Sequence, residues 1–171
     1  SKPGRFELSH DGTLFLDEIG NISKRAQEKL LVAIEEKKFY PLGSDEEQHS
    51  NFRLICATKE DLLHLVKTNK FREDLFYRIM GINLHIPPLR ERKDDIPLLT
   101  NHFLNKTVKK ILLSDDAKLA LEKYAWPGNV RELQKLISSF QSYKNSYVTK
   151  ENLPPELLQN ATISADGDIL T

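Results

Sequence analysis

Cysteine is nearly absent from this chain, with one residue, Cys56, in 171. A single thiol excludes an internal disulfide, and a reducing, cytoplasmic setting is the natural expectation. Cys56 lies in the apolar run Leu54-Ile55-Cys56-Ala57, which suits a small core residue better than a reactive thiol. No apolar run approaches the ~20 residues that cross a bilayer, and no signal-peptide core opens the chain, so no membrane association is expected. Net charge is missing too. The 25 Lys and Arg residues equal the 25 Asp and Glu residues, which argues against a binder of nucleic acid that relies on a basic surface. His10, His49, His64, His85 and His102 show no metal-ligand spacing, and there is no internal repeat or low-complexity tract. Glycine is sparse, at positions 4, 12, 20, 43, 81, 128 and 167, and no two have the spacing of G-x-x-x-x-G-K-[ST], the loop that cradles nucleotide phosphates.

What is present is a soluble, globular composition, 39% apolar and 29% charged. Its most informative stretch is Gly12-Thr13-Leu14-Phe15-Leu16-Asp17-Glu18. A short apolar run bounded by turn signals suits a strand buried on both faces of a parallel sheet. Two carboxylates at its carboxyl end stand where open α/β sheets bind ligands. One can hold a magnesium ion and the other can polarise a water, the pattern of a Walker B strand. The alternative is an ordinary buried strand whose Asp and Glu begin the next loop. With that strand and no phosphate cradle, the chain reads as starting in mid-domain.

The rest of the chain divides by pattern. Ser23 can cap a helix to about Lys37, with Ala26, Leu30, Leu31 and Ile34 on one stripe. Residues 41–50 form a polar loop, and Phe52 to Thr58 reads as a second buried strand. Short helices follow at 61–67, closed by Asn69, and at about Arg72 to Ile79. Ile82 to Ile86 reads as a third strand, stopped by Pro87-Pro88, with His85 a core or interface histidine. Beyond the charged segment Arg90–Asp95 the pattern turns helical. Pro97 fits the first turn of a helix to about Lys109, Ser114 caps the next, and Asn129 with Glu132 opens a third in a capping-box arrangement. Leu133, Leu136, Ile137 and Phe140 give that helix one apolar face. Leu153-Pro154-Pro155 starts a short terminal turn or helix. The expected layout is an α/β domain over 1–92, a small all-α domain over 93–159 and a mobile tail over 160–171.

Four segments then align: Gly12-Thr-Leu-Phe-Leu-Asp-Glu-Ile-Gly20, Phe71-Arg-Glu-Asp-Leu-Phe-Tyr-Arg78, Pro87-Pro-Leu-Arg-Glu-Arg92 and Trp126-Pro-Gly-Asn-Val-Arg-Glu-Leu133. In this order and spacing they resemble the central AAA+ ATPase module of sigma-54-dependent bacterial transcription activators, from about Pro3 to about Leu158. The resemblance implies part of a P-loop parallel sheet followed by a helical lid. It implies ATP and magnesium as ligands, self-association into a ring with ATP hydrolysed between subunits, and RNA polymerase carrying sigma-54 as the partner. DNA would be met only through a domain this sequence does not contain. By position, Asp17 would serve magnesium and Glu18 would orient the attacking water. Thr58 would end the sensor I strand, Arg72 and Arg78 would match the arginines that reach a neighbour's site, and Arg131 would match the lid's sensor II arginine.

The residues support these placements unequally. Arg131 lies about 160° from Leu133 around its helix, off the apolar face, so it serves a phosphate or simply a solvated surface. Arg78 can pair with Asp74 at i, i+4, whereas Arg72 looks freer. Lys59 stands where the family usually has Asn, Pro41 where it often has Arg, Asn21 where it has Asp and Asn69 where Gly is common. In the family's sheet order, the strand leading into Walker A would lie between Phe52–Thr58 and Ile82–Ile86, so both would keep unpaired edges. Two expectations follow. One is part of an ATP-driven activator, inactive alone. The alternative is a non-catalytic interaction or oligomerisation module derived from an AAA+ protein.

Overall fold

The computed structural model describes residues 3–158, Leu42 excepted, so the expected tail at 160–171 lies outside the described residues. The chain divides into two compact units, one ending at Leu84 and the other beginning at His85.

In the first unit, α1 (Arg5–Leu8) leads into β1 (Gly12–Leu16), and β1 pairs in parallel with β4 (Phe52–Cys56), Leu14 opposite Leu54. Between them, α2 (Lys24–Glu35) begins where Ser23 Oγ accepts the Ala26 amide at 3.3 Å. Lys37, at φ +61°, turns the chain into β2 (Lys38–Phe39), antiparallel to β3 (Gln48–His49). The expected loop at 41–50 therefore ends in a strand, and the Lys38–Glu47 ion pair at 2.9 Å ties the hairpin together. Asp61 accepts the amides of Leu63 and His64 to start α3 (Leu62–Lys67), and Asn69, at φ +56°, ends that turn in the left-handed conformation Asn tolerates. Then comes α4 (Glu73–Ile79). Ile19, Leu30, Phe71, Leu75 and Phe76 form the core, beside a smaller cluster of Leu14, Ala33 and Phe52.

Two expectations are corrected here. The β1–β4 pair is buried on one face only. Leu14 and Phe52 face helical cover, while Phe15 is 59% and Ile55 42% exposed, because no described element of this unit packs on their side. Ile82–Ile86 is not a strand, and Ile82 and Leu84 are 92% and 81% exposed. A strand exists only through hydrogen bonds to a neighbour, and among the described residues the parallel sheet of this unit consists of β1 and β4 alone. His85 is accordingly exposed rather than in a core.

The second unit begins its helices with α5 (Asp95–Asn105), with Pro97 as the third residue, where the backbone needs no amide donor. The helix stops at Asn105 rather than near Lys109, and Thr107 Oγ1 binds the carbonyls of Leu104 and Lys109 to make the turn. β5 (Leu112–Leu113) pairs in parallel with β6 (Tyr147–Val148), flanking α6 (Asp115–Lys123, capped by Ser114) and α7 (Asn129–Ser139). α8 (Pro155–Leu158) is the expected terminal helix. Leu133, Ile137 and Phe140 are fully buried, as the apolar spacing requires, around Trp126, whose Nε1 donates to the Leu121 carbonyl at 2.8 Å. The cap of α7 is shifted by one residue from expectation. Gly128 is the N-cap, Glu132 accepts its amide at 2.8 Å, and a Cβ on Gly128 would lie 2.8 Å from the Glu132 Cβ. Asn129 instead sits at φ +58° and accepts the amide of Leu89 at 3.1 Å, which anchors the Pro87–Arg92 segment to the start of α7. No described helix is long and apolar enough to cross a membrane.

Candidate active site

The parallel ladder continues past the ends of β1 and β4. The Ala57 amide donates to Leu16, and the Ile19 amide donates to Ala57, at 2.9 and 3.0 Å. This backbone fixes Asp17 and Glu18 beside Thr58 and Lys59. Both acids are exposed. Asp17 Oδ1 accepts the Glu18 amide at 2.9 Å, and its other oxygen has no hydrogen-bond partner among the described residues. Glu18 adopts φ +52°, uncommon for a side-chain-bearing residue and a recurrent property of functional positions. Its carboxylate is held on both oxygens, Oε2 by Asn21 Nδ2 at 3.2 Å and Oε1 by Lys59 Nζ at 3.5 Å. Thr58 Oγ1 donates to Glu60 Oε2 at 2.9 Å and accepts the Glu60 amide at 3.1 Å. Gly20 permits this crowding, since a Cβ there would come within 3.1 Å of Thr58 Oγ1. The structure thus brings Asp17, Glu18 and Thr58 together at one end of the sheet.

The arginine segment has an anchor that the sequence reading passed over. Gln27 is fully buried; its Nε2 donates to the carbonyls of Ile22 and Lys70, both at 3.1 Å, and its Oε1 accepts the Arg72 amide at 2.8 Å. The signal was a polar residue three before Leu30 and seven before Ile34, on the inward stripe of α2.

Arg72 is fastened, not free. It gives two hydrogen bonds to Asp74 and one to Glu28, the latter at 3.2 Å. The hydrogen bond from Arg72 holds the Asp74 carboxyl below the ordinary carboxylate value, and the same bond raises the guanidinium above its own. Asp74 is therefore already engaged, and the expected Asp74–Arg78 pair does not form. Arg78, in the last turn of α4, is exposed and makes no ion pair or hydrogen bond among the described residues. In the second unit, Arg131 is the third residue of α7, exposed and likewise without a side-chain partner among the described residues. Cys56 is half-buried, and desolvation pushes its thiol up, away from reactivity.

Comparison with known proteins adds the following. Residues 1–85 match the family model of the sigma-54 interaction domain, and residues 90–168 match that of the AAA+ ATPase lid domain. The chain is 49% identical over 144 residues to the phenol regulator MopR of Acinetobacter guillouiae, covering 80% of this chain and 25% of that protein. It is 46% identical over 138 residues to a Nif-specific regulatory protein of Azospirillum brasilense, covering 78% and 22%. With the transcriptional regulatory protein XylR of Pseudomonas putida it shares 40% identity over 178 residues, covering 100% and 31%. The chain thus spans between 22% and 31% of the length of these relatives. Among solved structures, NtrX from Brucella abortus in complex with ATP superposes with a TM-score of 0.81 at 29% identity, over 90% of this chain and 38% of that one. Its complex with ADP gives 0.81 at 28%, over 89% and 37%.

Proposed function

As this chain belongs to the AAA+ modules of sigma-54-dependent transcription regulators, we propose that it supplies the Walker B-to-lid portion of a cytoplasmic, ATP-driven activator. That activator remodels RNA polymerase carrying sigma-54 and hydrolyses ATP between neighbouring ring subunits. The observation that carries this reading is the pairing of β1 with β4, which places Asp17, Glu18 and Thr58 at the carboxyl end of one parallel sheet. The ATP and ADP bound in the similar NtrX structures support a nucleotide as the ligand.

In this reading Glu18 orients the attacking water and accepts its proton, and Thr58 lies beside the transferring phosphate. Arg131 meets phosphate oxygens from the lid, the use that fits an exposed cation near a helix start where the dipole alone disfavours it. Arg78 reaches the neighbouring subunit's site, while Arg72, fastened to Asp74 and Glu28, shapes the segment that presents it. Among the described residues no three His, Cys, Asp or Glu side chains converge on a metal site. Magnesium would be held by Asp17, whose Oδ2 has no hydrogen-bond partner among the described residues, together with triphosphate oxygens and water, which suits an ion ordinarily bound through one or two carboxylates. There it would neutralise charge developing on the phosphates.

The test is a module in which this chain follows the segment preceding the matched residues in the phenol regulator. Glu18→Gln should keep nucleotide affinity and abolish turnover, because the amide takes no proton. Asp17→Asn should weaken magnesium-dependent nucleotide binding. Equal loss of affinity in both variants refutes the division of roles.

A further inference from the structure

The short parallel pair of the second unit leaves one strand edge open. Successive residues of a strand offer their backbone groups to opposite sides. β5 meets β6 through the Leu112 amide, which donates to the Ser146 carbonyl at 2.7 Å, and the Ser114 amide, which donates to the Val148 carbonyl at 3.0 Å. The amides and carbonyls of Ile111 and Leu113 therefore point away from β6, and among the described residues no hydrogen bond reaches them. Ile111 is 5% and Leu113 7% exposed, and a backbone group left without a partner in such surroundings is costly. Residues 110–113 form one wall of a cavity of about 620 Å³, and no residue of β6 lines it. The other walls come from α5 and α6, with Ile96, Leu104 and Leu121 as apolar surface. Thr100 of α5 also lines the cavity; it is buried, and its Oγ1 has no hydrogen-bond partner among the described residues. One opening thus combines an unpaired strand edge, an unpaired hydroxyl and apolar walls.

We propose that this edge is a docking site for an extended segment of a partner protein, apolar and acidic at alternate positions, which adds a strand to β5. Its main chain pairs with the free groups of Ile111 and Leu113, the mode in which backbone bonds give affinity and alternate side chains give specificity. At ~3.3 Å per residue, the edge over 110–113 is about 13 Å long and takes about four residues. Inward side chains, on the face of Ile111 and Leu113, meet the apolar walls. Outward side chains lie beside Lys110 and Leu112, both exposed. The charged residues of the cavity are Lys110, Lys118 and Glu122. Lys118 is engaged by Asp115 at 2.8 Å, whereas Lys110 makes no ion pair among the described residues. An acid on the added strand can therefore pair with Lys110 across the strands. The same lysine disfavours a second copy of this edge, which would set like charges against each other.

The first test uses the unmutated 171-residue chain, followed by nitrogen-15 NMR. The probe is an acetylated, amidated peptide of about six residues in which valine and glutamate alternate. Titrated to millimolar concentration, it should shift the Ile111 and Leu113 amide resonances saturably and leave those of β1 and β4 in place. No shift, or shifts confined to residues outside the cavity, overturns the site and leaves the edge to water. Two further peptides carry N-methyl groups on the valines or on the glutamates, which removes the amide donors of one strand edge at a time. One should bind like the parent peptide and the other should not bind; equal behaviour of the two overturns the added strand. A peptide of alternating valine and lysine should bind about fivefold more weakly than the glutamate peptide, the scale of one reversed cross-strand charge pair. Lys110→Glu, a change at an exposed position, should reverse that preference. An unchanged preference overturns the acidic partner.

Discussion

Arg72 and Asp74, two residues apart, grip each other through paired hydrogen bonds, Nε to Oδ1 at 3.0 Å and Nη2 to Oδ2 at 2.7 Å. Fork-to-carboxylate geometry of this kind fixes both planes. It consumes the one acid that Arg78 would have met at i, i+4, and so leaves the second arginine of the segment uncommitted. The two arginines thus stand in different states within one short stretch, and they should answer differently to mutation.

Loss of Arg78 should be felt in trans. In the assembled module, Arg78→Ala should still bind ATP yet lose roughly a thousandfold in kcat, the scale of an arginine finger. Mixing Arg78→Ala with Glu18→Gln subunits should restore part of the activity, because one kind of interface then holds both an intact base and an intact incoming arginine. Arg72→Ala should be milder and should lower melting temperature as well. Failure of rescue in rings shown to assemble would remove the trans role.

The Arg72–Asp74 pair also sets a pH dependence. The folded Asp74 carboxyl titrates below its ordinary value, so its contribution to stability is fully present above that ordinary value. The contribution is lost as pH falls through the depressed one. Wild type should melt above Asp74→Asn at neutral pH, and the gap should close on acidification through the acid range. Because the pair is exposed, the gap should be at most about 3 °C, read by calorimetry across a pH series.

Gln27 should matter more for stability than any surface charge. Gln27→Leu leaves the Arg72 amide and the Ile22 and Lys70 carbonyls without their buried partner. An unsatisfied buried polar group costs about 1–3 kcal/mol. The variant should unfold its first unit at clearly lower urea, measured by a probe in that unit, while the lid unit keeps its own midpoint.

The isolated chain should hydrolyse no ATP above background, since no glycine pair here forms a phosphate cradle. Magnesium-dependent release of phosphate by pure chain, abolished by Glu18→Gln, would contradict this.

The sequence by itself determined the elements whose causes are local. Ser23, Ser114 and Asp61 cap helices through their own side chains, Asn69 takes a left-handed turn, and the spacing of Leu133, Ile137 and Phe140 buries one face of α7. It also showed Asp17 and Glu18 at the end of a short apolar run, and the order of motifs that marks the family. Tertiary structure alone decided what depends on a partner elsewhere in the chain. Ile82–Ile86 has the alternation of a strand but no neighbour to pair with among the described residues, so it is not one. Phe15 and Ile55 are apolar, yet no described element of their unit covers them. Asp74 had two arginines within reach, and the backbone held by Gln27 gave it to Arg72. Lys59 met Glu18 because the ladder between residues 16 and 57 laid two distant loops side by side. Helix periodicity and capping act over a few residues and can be read along the chain, whereas pairing, cover and competition for one carboxylate are settled only in space.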